Sequence, residues 1–136
     1  MKLQSFAGEI HWEEIPEEIF AKGTVPRESG YFQDHFPGFP VLPGVLALEI
    51  LKGIAENFLV RKTGKPEERW RLTHLSGVRF SAYLRPGDEW EARLEFLNQE
   101  KGRARWKGSL SSRGRVAAQS QFVIEETGIF SNTVLQ

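Results

Sequence analysis

Tyr31-Phe32-Gln33-Asp34-His35-Phe36-Pro37-Gly38-Phe39-Pro40-Val41-Leu42-Pro43-Gly44-Val45-Leu46-Ala47-Leu48-Glu49 is the stretch whose reading decides this chain. It sets one histidine, three prolines and two glycines ahead of an apolar run that carries a single carboxylate. Prolines at 37, 40 and 43 forbid a regular helix or a central strand there, so Phe36–Pro43 reads as a stiff, irregular loop. Pro43 and Gly44 then mark a helix start.

Working outward, Val45, Leu46, Ala47, Leu48, Ile50, Leu51, Ile54, Ala55, Phe58 and Leu59 are apolar. Glu49, Lys52, Gly53 and Glu56 recur at i, i+3, i+4 and i+7, one narrow polar stripe. The pattern predicts a helix from Gly44 to about Lys62, buried over most of its circumference. On the N-terminal side, Ile19–Val25 reads as a strand, and Glu13-Glu14-Ile15-Pro16-Glu17-Glu18 as a turn or short helix start. On the C-terminal side, strands are expected at Trp70–Leu84, Glu89–Asn98, Arg103–Ser112 and Arg115–Glu125. Trp90, Ala92, Leu94 and Phe96 alternate with Glu89, Glu91, Arg93 and Glu95, the period of a half-buried strand. A long buried helix followed by antiparallel strands predicts an α+β domain with the helix laid on one face of a sheet.

A chain of 136 residues suffices for one domain with a real core. The absence of cysteine excludes disulfide and thiol chemistry and suits a cytoplasmic protein. The N-terminus predicts no signal peptide, and no apolar run is long enough to span a membrane. The zero net charge divides unevenly: residues 1–68 hold 7 Lys/Arg against 11 Asp/Glu, and residues 69–136 hold 11 against 7. No dense basic run is interleaved with aromatics, which argues against a nucleic-acid partner. His11 and His74 stand alone and no metal-ligand spacing occurs, so no metal is expected.

Histidine, neutral-range by its ordinary pKa, is the usual general base, and a proline-braced loop would hold His35, although for a lone histidine a turn residue that caps backbone groups is the plainer assignment. Glu49 reads either as an acid whose burial keeps it protonated or as part of a solvated stripe paired with Lys52. Gly44 either exposes helix-start N–H groups to developing negative charge or merely permits the turn.

His35-Phe36-Pro37-Gly38-x-Pro40-Val41-x-Pro43-Gly44-Val45-Leu46-x-x-Glu49 closely resembles the signature of the β-hydroxyacyl-acyl-carrier-protein dehydratases of fatty-acid synthesis. Phe80-Ser81-Ala82-Tyr83-Leu84-Arg85-Pro86-Gly87-Asp88-Glu89 resembles that family's second landmark, and the likeness runs over roughly residues 24–125. It implies a single hot-dog domain over residues 1–136, a long central helix wrapped by an antiparallel β-sheet, with 126–136 as a possible flexible tail. It further implies that His35 removes the C2 proton of a 3-hydroxyacyl thioester and that the Gly44 N–H polarises the thioester carbonyl. Glu49 of the other subunit of a homodimer would protonate the departing hydroxyl, and the carbonyl near Val41 would orient His35. No cofactor is implied.

Phe36, Phe39, Val41, Leu42 and Val45, with Leu46, are candidates to face the acyl chain, with core packing as the plainer assignment. Arg103, Arg105 and Lys107 share one strand face, with Arg113 and Arg115 across the next turn. Together they are the expected surface for an acidic acyl carrier protein, or an ordinary solvated strand. The chain departs from the family pattern at Gly53, where typical members carry glutamine, and at Trp12–Ile19, which replaces an N-terminal Leu-Pro-His-Arg-x-Pro-Phe motif. A non-catalytic thioester-binding subunit and a hot-dog thioesterase are the rival readings.

Overall fold

The computed structural model describes residues 10–15, 17–26 and 44–127, with the side chains of Trp12 and Val45 outside that description. In chain order come β1 (His11–Ile15), β2 (Glu18–Thr24), α1 (Gly44–Thr63), a 3-10 turn (Glu67–Arg69), β3 (Trp70–Phe80), β4 (Glu89–Glu100), β5 (Arg103–Ser112) and β6 (Arg115–Glu126). The strands form one six-stranded sheet in the order β1-β2-β4-β5-β6-β3, antiparallel throughout.

Sheet and helix meet through the residues the sequence periods select. Trp90, Ala92 and Leu94 of β4 are buried, as are Ala104, Trp106 and Leu110 of β5, while Arg103, Arg105 and Lys107 face out. Above them lie Leu46, Ala47, Ile50, Leu51, Ile54, Ala55 and Leu59 of α1, all buried. Each large apolar side chain withdrawn from water in this layer contributes roughly 1.5–3 kcal/mol. Trp106 sits at the centre, with the rings of Phe58 and Phe96 edge-on to it at 5.2 and 5.1 Å. The helix approaches β5 closely at Gly108, where a Cβ would lie 3.3 Å from Leu51 and 3.2 Å from Phe122. This is the α+β layering expected from the sequence.

Two expectations need correction. Residues 13–15 belong to a strand, because β1 and β2 form a hairpin whose last pair is Ile15 with Glu18. The turn is tight, with Glu17 in the left-handed region at φ 67°. Glu13 and Glu14 therefore lie on the edge strand, Glu17 takes the turn reading and Glu18 opens β2, so the helix-start reading is the one overturned. β3 ends at Phe80 and not at Leu84; beyond it, the N–H groups of Ser81 and Ala82 both donate to the Ala117 carbonyl. The Phe36–Pro43 loop lies outside the described residues.

The helix runs the length of the sheet. Its start meets Phe80 at the end of β3, opposite Ala118 of β6. Past its other end, Lys65 pairs with the buried Glu126 carboxylate, and Glu126 lies opposite Trp70 at the start of β3. Its 20 residues make about 30 Å at 1.5 Å per residue, close to the span of a ten-residue strand. Among the described residues, no helix is long and apolar enough to cross a membrane.

Candidate active site

The segment carrying His35 leaves the described structure at Pro26 and returns at Gly44, and both ends are held by specific contacts. Val25 is fully buried. Its N–H donates to the Asp88 carbonyl at 2.9 Å, and its carbonyl accepts from the Gly87 N–H at 2.7 Å. The Asp88 carboxylate accepts from the Arg85 N–H at 2.9 Å and from the Arg113 guanidinium at 3.2 Å. The Pro-Gly-Asp landmark is thus a clamp that ties the end of β2 to the start of β4.

Gly44 is held by contact with an aromatic ring. A Cβ built on it would lie 2.6 Å from Cδ1 of Phe80 and 2.9 Å from its Cγ. Only a glycine lets that ring rest against the helix start. The first helical N–H groups have no acceptor within the helix, so this turn offers donors to an incoming oxygen.

Glu49 stands five residues further on, about 7.5 Å along the axis. Its side chain is 42% exposed in the single chain and lies 3.5 Å from Lys52 Nζ. The same ammonium lies 3.4 Å from Oε1 of Glu56. The solvated ion pair that helical spacing allowed for Glu49 is therefore present in the single chain. The buried carboxylate of the stripe is Glu56, 7% exposed. Burial raises the Glu56 pKa above the ordinary carboxylate value, against the opposing pull of Lys52. For Lys52 burial pulls downward, but Glu56 and Glu49 outweigh it and the pKa is raised. Sequence reasoning placed Glu56 in the stripe and missed its burial; the only available signal was its position one turn ahead of Leu59.

A second feature escaped the sequence reading. β3 is an edge strand with Leu75, Val78 and Phe80 about half exposed, and Tyr83 just beyond it is 73% exposed. Glycine at φ 60° and a register shift between Ser76 and Arg79 bend the strand there. An apolar edge of this kind beside the helix start is left uncovered among the described residues.

The expected carrier-binding cations do not form one cluster. Arg103 opposite Glu125, Arg105 opposite Val123 and Lys107 opposite Gln121 run along the outer face from the sheet end that holds the helix C-terminus. Arg113 and Arg115 lie at the other end, with Gly44, Phe80 and Arg85. Arg103 is also paired to Glu125 at 3.8 Å. Leu46 is buried in the core. His35, Phe36, Phe39, Val41 and Leu42 lie outside the described residues, as does the side chain of Val45.

A profile of the ApeI-like family, ApeI dehydratase, matches residues 11–121. The 3-hydroxyacyl-acyl-carrier-protein dehydratase FabZ of Proteus mirabilis is 34% identical over 95 residues, covering 68% of this chain and 63% of that protein. The FabZ of an Anaeromyxobacter species is 37% identical over 120 residues, 84% of this chain and 74% of that protein. The match to the Proteus protein thus spans a little under two thirds of that relative. In fold, the chain is similar to the dehydratase heterocomplex ApeI:P of Xenorhabdus doucetiae, with a TM-score of 0.75 at 15% identity over 99% of this chain and 91% of that one. Thioesterase superfamily member 2 of Mus musculus gives 0.64 at 16% identity over 89% and 84%. The architecture is the hot-dog fold, and the chain belongs to the ApeI-like dehydratase family.

Proposed function

We propose that this chain removes water from 3-hydroxyacyl thioesters of an acyl carrier protein, giving trans-2-enoyl thioesters, and that it works as a homodimer. The observation that carries the reading is the dehydratase family match over residues 11–121 in a chain that keeps His35, Glu49 and the Gly44 helix start together in sequence. The thioesterase likenesses rest on fold alone.

In this reading His35 takes the C2 proton and the electron pair passes toward the thioester oxygen. The Gly44 N–H stabilises the charge that gathers there. Glu49 of the second subunit gives its proton to the 3-hydroxyl as the C3–O bond breaks, and water leaves. Phe36, Phe39, Val41, Leu42 and Val45 face the acyl chain. The chemistry is acid–base throughout and requires no metal or cofactor.

The second copy packs on the β3 edge. Its support is the run of exposed Leu75, Val78, Phe80 and Tyr83 beside the helix start, where partner residues would complete the site. The carrier docks at the same sheet end, on Arg113 and Arg115 with Arg79 and Arg85 close by, since its phosphate-bearing arm must reach Gly44.

Mixing two inactive variants tests the shared site. His35→Ala and Glu49→Ala chains, denatured and refolded together, form mixed dimers with one intact site. About a quarter of wild-type turnover is expected from statistical pairing. A mixture as inactive as either parent, beside an active wild type, rejects the composite site.

A further inference from the structure

We propose that Lys52 is the positioning residue of Glu49, held in place by the buried carboxylate of Glu56. The inference rests on the dehydratase reading above and assigns a role in that site to two residues outside the proton-transfer machinery.

The argument starts at Glu56. A carboxylate 7% exposed, with its side chain beneath the helix surface, is costly to leave without a counter-charge. Lys52, 3.4 Å away, supplies it, so its ammonium is anchored and not free to sweep through solvent. From that anchored position Nζ reaches Oε2 of Glu49 at 3.5 Å. A half-exposed glutamate would otherwise spread over several rotamers. Tethering Oε2 leaves Oε1 as the oxygen to meet a substrate hydroxyl.

The same contact suits the chemistry. When Glu49 hands its proton to the departing hydroxyl, a carboxylate forms beside an ammonium that is already in place. Lys52 itself stays charged, since its two carboxylate neighbours outweigh the effect of burial. Glu56 shares the ammonium and so moderates its pull on Glu49, and Glu67 of the 3-10 turn adds a further negative charge facing Glu56.

The test compares wild type with Lys52→Arg, Lys52→Met and the double variant Lys52→Met/Glu56→Gln, which removes the stranded buried charge. The double variant is expected to fold with a wild-type Tm yet lose kcat about tenfold, with KM held within about twofold. Carbon-13 relaxation of the Glu49 side chain is expected to show wider rotamer averaging in the double variant than in wild type, because the tether at Oε2 is gone. Lys52→Arg should recover most of kcat. A folded double variant with wild-type kcat and unchanged Glu49 averaging overturns the proposal. If wild type shows no dehydration at all, the functional reading fails, and carbon-13 relaxation of the Glu49 side chain still decides this one. Wider averaging of Glu49 in the double variant supports the tether, and unchanged averaging overturns it.

Discussion

The ring of Phe80 occupies the space that a side chain on Gly44 would need, with Cδ1 2.6 Å from the position of a Cβ. The contact joins the end of β3 to the first residue of the helix and seats the proposed oxyanion donor against the exposed sheet edge. Gly44→Ala is expected to cost about 1–3 kcal/mol, seen as a lower Tm, because the ring must shift. Adding Phe80→Ala, which removes the Cγ and ring atoms that block the site, should restore most of that loss. A Gly44→Ala chain as stable as wild type would contradict the packing.

Glu56 makes stability depend on pH. Its folded pKa is raised above the ordinary 4.5 by burial. The folded state therefore holds its proton more tightly than the unfolded chain. Stability is highest while the group is protonated and falls as pH rises from about 4.5 to the raised value. Urea midpoints across that window should decline for wild type and stay flatter for Glu56→Gln. Equal slopes for the two proteins would remove the effect.

The β3 edge predicts the assembly state. Val78→Lys places a charge among Leu75, Phe80 and Tyr83, where a second copy would have to bury it. Light scattering should give a dimer mass for wild type and a monomer mass for the variant, with dehydratase turnover lost in parallel. A monomeric wild type that is fully active would refute the shared site.

Much of this architecture was legible in the residues. The alternation of Trp90, Ala92 and Leu94 named the buried face of β4, and the apolar run from Leu46 to Leu59 named the helix. β1 was missed because its five residues, HWEEI, carry no alternation and precede a proline; pairing with β2 makes it a strand. β3 was drawn too long because Tyr83 and Leu84 continue an apolar pattern after its pairing with β6 stops. In the site, periodicity put Glu49, Lys52 and Glu56 on one stripe but could not say which member is buried. That depends on the packing around the helix, not on spacing along it.

The division of the basic residues between the two sheet ends lets the proposed carrier docking be tested against ordinary surface charge. Arg115→Glu, which leaves the Arg113–Asp88 pair of the clamp intact, should raise KM for a carrier-bound substrate about threefold while changing kcat little. Arg103→Glu with Arg105→Glu, at the distant end, should leave KM near wild type. The reverse order would move the docking face to the opposite end of the sheet.

Formation of the trans-2-enoyl thioester from a 3-hydroxyacyl-acyl-carrier-protein substrate tests the central claim most directly, followed by mass spectrometry as loss of one water. Wild type is expected to turn over, with His35→Ala and Glu49→Gln each slower by roughly 10²–10⁴-fold while still folded. A well-folded wild-type dimer that leaves the 3-hydroxyacyl chain unchanged, or variants as fast as wild type, would contradict it.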